Sequence, residues 1–312
     1  MKTVSSSVYL EQLLAAPRPG AANILAFYEH RVGGICTDAR LMLAPLDDHL
    51  CHRGDGVFES INYRQRRMLQ LDAHMDRMVN SAASLTITPP CPWGEIRATI
   101  LDVAAAGGEA VGAIRVLLGR GPGGFGISPT ECPTASLYIV AMRSHIPDEA
   151  WYHKGLTSFK SAIPAKQEYL ARIKNTNYLP NVLMTEEARA KNMDVAFSFD
   201  TKGHLAEAAI ANVGIVDKHG VLVCPEFVSS LPGTTVLAAF EAAKGWLPTA
   251  QKAISEADIL SAREVLLFSS SPLCVGITQY EGQPIGDGVP GPVAQRLRAD
   301  LETMLLAQGT AF

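Results

Sequence analysis

No two of the six cysteines, Cys36, Cys51, Cys91, Cys132, Cys224 and Cys274, form a CxxC, and none has a histidine at zinc-finger spacing. No metal site is therefore expected, and scattered reduced thiols point to a cytoplasmic protein. No apolar run reaches membrane-spanning length, because the longest are strand-sized or alanine-rich and interrupted. The first twenty residues, MKTVSSSVYLEQLLAAPRPG, hold no continuous apolar core and do not read as a signal peptide. Charge of one sign is also scarce. A net charge of −4 favours neither nucleic acid nor an anionic membrane as a partner. What remains is an ordinary globular mixture, 47% apolar and 19% charged. Its 312 residues suffice for two domains or one large one.

Residues 1–20 read as an arm ending in an APRPG turn, with strands expected at Ile24–Tyr28 and Leu41–Leu46. The segment HRGDGVFESINYRQRRMLQL (52–71) holds the first strong pattern. Gly54 and Gly56 permit a tight backbone. Val57–Tyr63 reads as a strand with Phe58, Ser60 and Asn62 on one face and Val57, Glu59, Ile61 and Tyr63 on the other. RQRR is a hairpin turn and Met68–Leu71 the expected return strand. Asp72 is placed to cap a helix whose apolar stripe is Leu71, Met75, Met78, Ala82 and Leu85. Arg77 falls off that stripe, as a solvated charge would. A second helix runs from Glu95 to about Ala106 and a strand from Ala113 to Leu118. The loop GRGPGGFGISP (119–129) contains GxGxxG by letter, but no helix opens there, so it reads as a shaped loop over a pocket. After a strand at Ala135–Met142, Arg143–Asp148 reads as a linker.

Beyond the linker, strands are expected at Thr157–Ala162, Val195–Phe199, His204–Ala208, Val213–Val216, Val221–Cys224 and Glu264–Phe268. DTKG and DKHG are hairpin turns. Helices are expected over Asn181–Ala190 behind Pro180, from Leu231–Thr235 to about Lys244, over Ser255–Ala262, and from Pro292 to about Ala307.

Lysine forms Schiff bases, and burial makes its amine nucleophilic. By its neighbours alone, Lys174 in KNTNYLPNVL is as well read as an exposed charge. Glu207 is an acid in the apolar stretch LAEAAIAN. It is either an edge carboxylate facing water or the partner of a buried cation. Thr234 and Thr235 open a helix whose first N–H groups would suit a phosphate, or they are ordinary capping residues. Ser269, Ser270 and Ser271 end a strand, either as phosphate donors or as a polar turn.

Taken in order, HRGDGVFES, LDAHMDRMVNSA, VLLGRGPGGFGISP, KNTNYLPNVL, HLAEAAIANVGIV, LPGTTVLAAF, EVLLFSSSP and GQPIGDGVPGPV make the chain resemble the class IV aminotransferases. That family includes branched-chain and D-amino-acid aminotransferases and aminodeoxychorismate lyase. The likeness runs from about Leu46 to Leu305.

The resemblance implies the two-domain α/β architecture of fold type IV pyridoxal-phosphate enzymes. Residues 1–143 would form a small α+β domain with its arm, and 144–312 a larger cofactor-binding domain with a barrel-like sheet. Lys174 would hold pyridoxal 5'-phosphate covalently and move the proton on the substrate carbon. Arg77 would bind the phosphate, with the N–H groups of Thr234 and Thr235 and the serines Ser269 and Ser270. Tyr178 would bond the phenolic oxygen, Glu207 the ring nitrogen, and Leu231 would pack on the ring. Arg53, Phe58, Asn62, Arg120 and Phe125 are the candidates for shaping the substrate pocket. D-amino-acid members carry Arg-x-His where Phe125, Gly126 and Ile127 stand here. Branched-chain members carry tyrosine near Arg53 and arginine near Asn62. The implied reaction exchanges an amino group between an amino acid and a 2-oxo acid. The alternative is a lyase making 4-aminobenzoate and pyruvate. A homodimer is also implied, its glycine-rich loop reaching the neighbour's site.

Overall fold

The computed structural model describes residues 2–144 and 147–312. Two residues of the linker expected at Arg143–Asp148, His145 and Ile146, lie outside that description.

The strands sort into two sheets. The first is seven-stranded and antiparallel. Its order is Thr310–Ala311, Arg67–Met68, Gly56–Arg64, Gly112–Gly119, Ser136–Met142, Ile24–Glu29 and Gly34–Cys36. The alternation expected for Val57–Tyr63 holds. Val57, Ile61 and Tyr63 are fully buried under the helices Leu71–Ser84 and Trp93–Ala106, with Met75, Met78, Ile96 and Ile100. The opposite face carries Phe58, Ser60 and Asn62, and Arg115 stands directly across from Ser60.

The second sheet is nine-stranded and mixed. Thr249–Gln251, Leu222–Cys224, Asn212–Val216, Glu264–Ser269, Leu273–Tyr280, Leu156–Lys160, Val195–Phe199 and Leu205–Ala208 follow one another, and Gln283–Pro284 pairs with Leu273–Tyr280. Its strands are covered on both faces. Leu266 and Phe268 pack under the helices Thr234–Ala243 and Pro292–Ala307 with Val236, Ala239, Leu297 and Leu301. Val265 and Leu267 face the other way. There they meet Phe197, Leu205, Val213, Val223, Val275 and Tyr280, which come from strands around the whole sheet. A flat sheet cannot bring those residues together, so this sheet curls around its own interior.

Four expectations give way. The arm holds a helix, Ser6–Ala15, capped by Ser5 and with no buried residue. Leu41–Leu46 is not a strand, because the chain makes a short 3-10 turn at Ala39–Leu41 and then no regular structure. The return strand stops at Met68, and Leu71 already begins a helix. That helix is entered through Gln70 at φ 54°, so Asp72 is not its cap and instead accepts Arg97 Nε at 2.9 Å.

Candidate active site

Lys174 lies between the helices Glu168–Ala171 and Leu179–Lys191. Its main chain is held on two sides. Its carbonyl accepts the Phe58 N–H at 2.9 Å, and its own N–H donates to Ser81 Oγ at 3.2 Å. Asn175 bridges to Val57, and the Thr176 N–H donates to the Gly56 carbonyl at 2.9 Å. The lysine segment is thus sewn onto strand Gly56–Arg64. Gly54 must stay without a side chain for this, since a Cβ there would meet Asn177 Oδ1 at 2.7 Å in a left-handed backbone.

The Lys174 amine ends 3.5 Å from Tyr178 Oη and 4.6 Å from the centre of the Phe58 ring. Among the described residues no carboxylate forms an ion pair with it. Burial, and next the charge of Arg77, bring its pKa down to about 8.

The amine opens into a cavity. Arg77, Lys174, Tyr178, Glu207, Leu231, Thr234, Thr235, Ser269 and Ser270 all line it. These are the residues that the resemblance implies for a cofactor. Glu207, on strand Leu205–Ala208, accepts the Leu231 N–H at 3.1 Å. Burial pushes its pKa up to about 7, against the pull of that N–H and of Lys166 and Lys174. Tyr178 is pushed up to about 12 by burial and then by Glu207, so its hydroxyl keeps its proton.

Gly233 caps the Thr234–Ala243 helix without a side-chain bond, which leaves the first-turn N–H groups without a partner in the helix, at residues that line the cavity. A Cβ on Gly233 would overlap Asn212 Oδ1, whose Nδ2 holds the Leu231 carbonyl at 2.8 Å. Arg77 is not solvated but 11% exposed. Its Nε and Nη2 donate to Glu59 at 2.8 and 2.7 Å, and Nη1 lies 3.4 Å from the Pro232 carbonyl.

The substrate candidates fare differently. Phe58 stands between two cations, Lys174 and Arg115, whose guanidinium carbon is 5.1 Å from the ring centre. None of the five candidates, Arg53, Phe58, Asn62, Arg120 and Phe125, is among the residues lining the cavity, although Phe58 packs against the Lys174 amine. Arg53 donates to the carbonyls of Phe125 and Gly126 and so holds the glycine-rich loop. Arg120 is bound to Asp55 and to the carbonyls of Leu85 and Thr86. Both guanidiniums are spent on scaffold, because loop carbonyls and a nearby carboxylate reach them first. Asn62 accepts from Ser144 at 3.4 Å, and Phe125 is 65% exposed beside His52.

Sequence reasoning missed Arg115 and Lys166. Arg115 Nε is buried with no hydrogen-bond partner among the described residues, and burial lowers its pKa. The strand pairing Ser60–Arg115 was the available signal, since it puts this cation on the face of Phe58. Lys166 lines the cavity, its amine 4.4 Å from the Tyr178 ring centre, and nothing in its neighbours announced it.

The family description "Amino-transferase class IV" matches residues 56–280. The chloroplastic D-amino-acid transaminase of Arabidopsis thaliana is 34% identical over 285 residues, covering 89% of this chain and 76% of that protein. A putative branched-chain-amino-acid aminotransferase of Methanocaldococcus jannaschii is 28% identical, covering 80% and 87%. Among solved structures, the branched-chain amino acid aminotransferase of Escherichia coli superposes with a TM-score of 0.84. It shares 22% identity and covers 91% of this chain and 95% of that one.

Proposed function

We propose that Lys174 bears the cofactor in this chain, which belongs to the class IV aminotransferases, pyridoxal-phosphate enzymes that exchange an amino group between an amino acid and a 2-oxo acid. The observation that carries the proposal is the buried Lys174 amine, without a carboxylate partner among the described residues, in one cavity with Glu207 and an anion-binding helix start.

The donor set fits the cofactor. Glu207, with a pKa near 7, is matched to a pyridine nitrogen, because either group can hold the shared proton. Arg77 and the N–H groups of Thr234 and Thr235 suit a phosphate, with Ser269 and Ser270 adding hydroxyl donors. Tyr178 offers an O–H to the phenolic oxygen, and Leu231 an apolar contact to the ring. When bound, pyridoxal phosphate supplies the carbonyl for the amino group and a ring that draws electrons from the substrate carbon.

The chain's own part is binding and proton movement. Lys174 Nζ would hold the cofactor and, when free, would take the proton from the substrate carbon and give it back. Its pKa near 8 lets the amine accept and give that proton at neutral pH. Phe58 and Tyr178, ring centres 4.9 Å apart, shield it from water. Arg115 is the cation left for a substrate carboxylate, in reach of the Phe58 face.

Branched-chain and D-amino acids are the donor classes that the relatives' names support. A homodimer is supported by the exposed apolar residues Leu179, Val182 and Leu183 on one helix, with Tyr169 and Ile210. The six free cysteines support the cytoplasm as compartment.

Borohydride reduction followed by peptide mapping tests the assignment, and the expected result is pyridoxyl on the peptide containing Lys174. Modification elsewhere overturns it. Lys174→Ala should lose amino transfer by roughly 10³-fold or more. Pyruvate release without an amino acceptor would move the assignment to the lyase.

A further inference from the structure

Arg77 poses a problem of charge. It is the cation of the anion site, yet its guanidinium is already paired with Glu59. Glu59 is 1% exposed, and a buried carboxylate so close to an anion repels it. Something else must offset that repulsion.

The arrangement around Glu59 supplies the offset. Oε1 accepts Arg77 Nε at 2.8 Å. Oε2 accepts Arg77 Nη2 at 2.7 Å and lies 2.6 Å from His74 Nδ1. Nη1 is the one guanidinium nitrogen that Glu59 does not take. On the far side of the His74 ring, Nε2 is 3.4 Å from Thr234 Oγ1, at the first residue of the helix that opens on the cavity. His74 is 2% exposed, and burial keeps it neutral. A neutral ring that donates from Nδ1 to Glu59 accepts at Nε2, which draws the Thr234 hydroxyl to it. One carboxylate therefore ties a strand, a helix and the start of a second helix into a fixed frame.

We propose that Glu59 is the positioning residue of the anion site: it orients Arg77 and, through His74, the N-terminus of the Thr234–Ala243 helix, so that both meet a phosphate in fixed geometry. The proposal rests on the cofactor reading above. No part of it requires Glu59 to touch the cofactor.

The charge of Glu59 has a second effect. Arg77 lowers the pKa of Lys174 and Glu59 raises it, so the carboxylate limits how far the amine is pushed down.

Glu59→Gln separates positioning from charge. An amide cannot replace the carboxylate here. Whichever way it turns, its NH2 faces either the Arg77 Nε–H, or Arg77 Nη2–H together with the His74 Nδ1–H. The measurement is the dissociation constant of cofactor-free protein for pyridoxal phosphate and, in parallel, for pyridoxal, which lacks the phosphate. Glu59→Gln should bind pyridoxal phosphate about 10-fold more weakly and pyridoxal within about 2-fold of wild type. The pH midpoint for pyridoxal capture should also fall below that of wild type. Unchanged or tighter binding of pyridoxal phosphate would overturn the proposal, since charge relief would then outweigh geometry. Equal losses for both ligands would overturn it too, as general damage. Glu59→Asp, which keeps the charge, should recover part of the phosphate affinity.

If the variant does not fold, the ring nitrogen shifts of His74 in the wild-type protein decide. Protonation at Nδ1 alone supports the frame, and protonation at Nε2 alone contradicts it. Wild-type protein that captures neither aldehyde would sink the cofactor reading instead.

Discussion

At the scale of the residue, Lys174 and Glu207 are set by burial with opposite signs. Burial of a cation lowers the lysine, so its amine should capture pyridoxal faster as pH rises through about 8. Arg77→Met removes the cation next in importance and should move that midpoint upward, toward the value of a free lysine. A pH–rate profile of borohydride trapping reads both. Burial raises Glu207 from 4.5 to about 7. Between those values the folded chain holds a proton that the unfolded chain has lost. The cofactor-free protein therefore loses stability as pH rises through that window. Denaturant midpoints measured from pH 5 to 7 should fall more steeply in wild type than in Glu207→Gln. The same variant should still bind cofactor but transfer amino groups roughly 100-fold more slowly, because an amide cannot hold the ring-nitrogen proton. Neither residue could be read from its neighbours. Lys174 looked like any exposed lysine and Glu207 like an edge acid, and only the order of motifs along the chain separated the readings. Arg77 was hidden for a plainer reason. Helical periodicity saw it leave the apolar stripe, but its partner Glu59 lies on a strand 18 residues earlier.

At the scale of the element, the legible parts were those whose pattern is local. The two faces of Gly56–Arg64 followed from alternation, and the Leu71–Ser84 stripe from helical spacing. Strand Leu273–Tyr280 escaped because only Pro272 separates it from the serine triplet, and it is entered at Leu273 with φ 61°, a left-handed backbone that leucine seldom adopts. The helix Ser6–Ala15 escaped because it buries nothing and so shows no stripe. The start of helix Thr234–Ala243 depends on a glycine for space rather than for backbone freedom. Gly233 has an ordinary φ of −71°, yet a methyl there collides with Asn212. Gly233→Ala should cost about 1–3 kcal/mol of stability and weaken pyridoxal phosphate more than pyridoxal. Thermal melts and the two dissociation constants check it. Equal weakening of both ligands would mean that the collision is relieved without moving the helix.

At the scale of the whole molecule, the cavity takes Ser60, His74 and Arg77 from the side of the first sheet and Glu207, Ser269 and Ser270 from the second. Composition could bound the size of such a molecule but not the return of its last strand. Two residues, Thr310 and Ala311, pair with Arg67–Met68 after the Pro292–Ala307 helix has packed on the second sheet. No alternation is readable in a strand so short. Phe312 completes the junction, its ring 5.1 Å from Tyr63 and under the Arg66 guanidinium. Phe312→Ala should lower the melting temperature by roughly 2–4 °C, since it removes one half-buried aromatic contact. An unchanged melt would show that the junction carries no stability.

That returning strand also sets an order of events during synthesis. The outer edge of Arg67–Met68 can find its partner only when residues 310 and 311 have left the ribosome. Until then the nascent first sheet carries an open edge, able to pair with another chain. Residues 69–309 are therefore all made while that edge stands open, and its exposure to aggregation closes only when 310 and 311 pair with it.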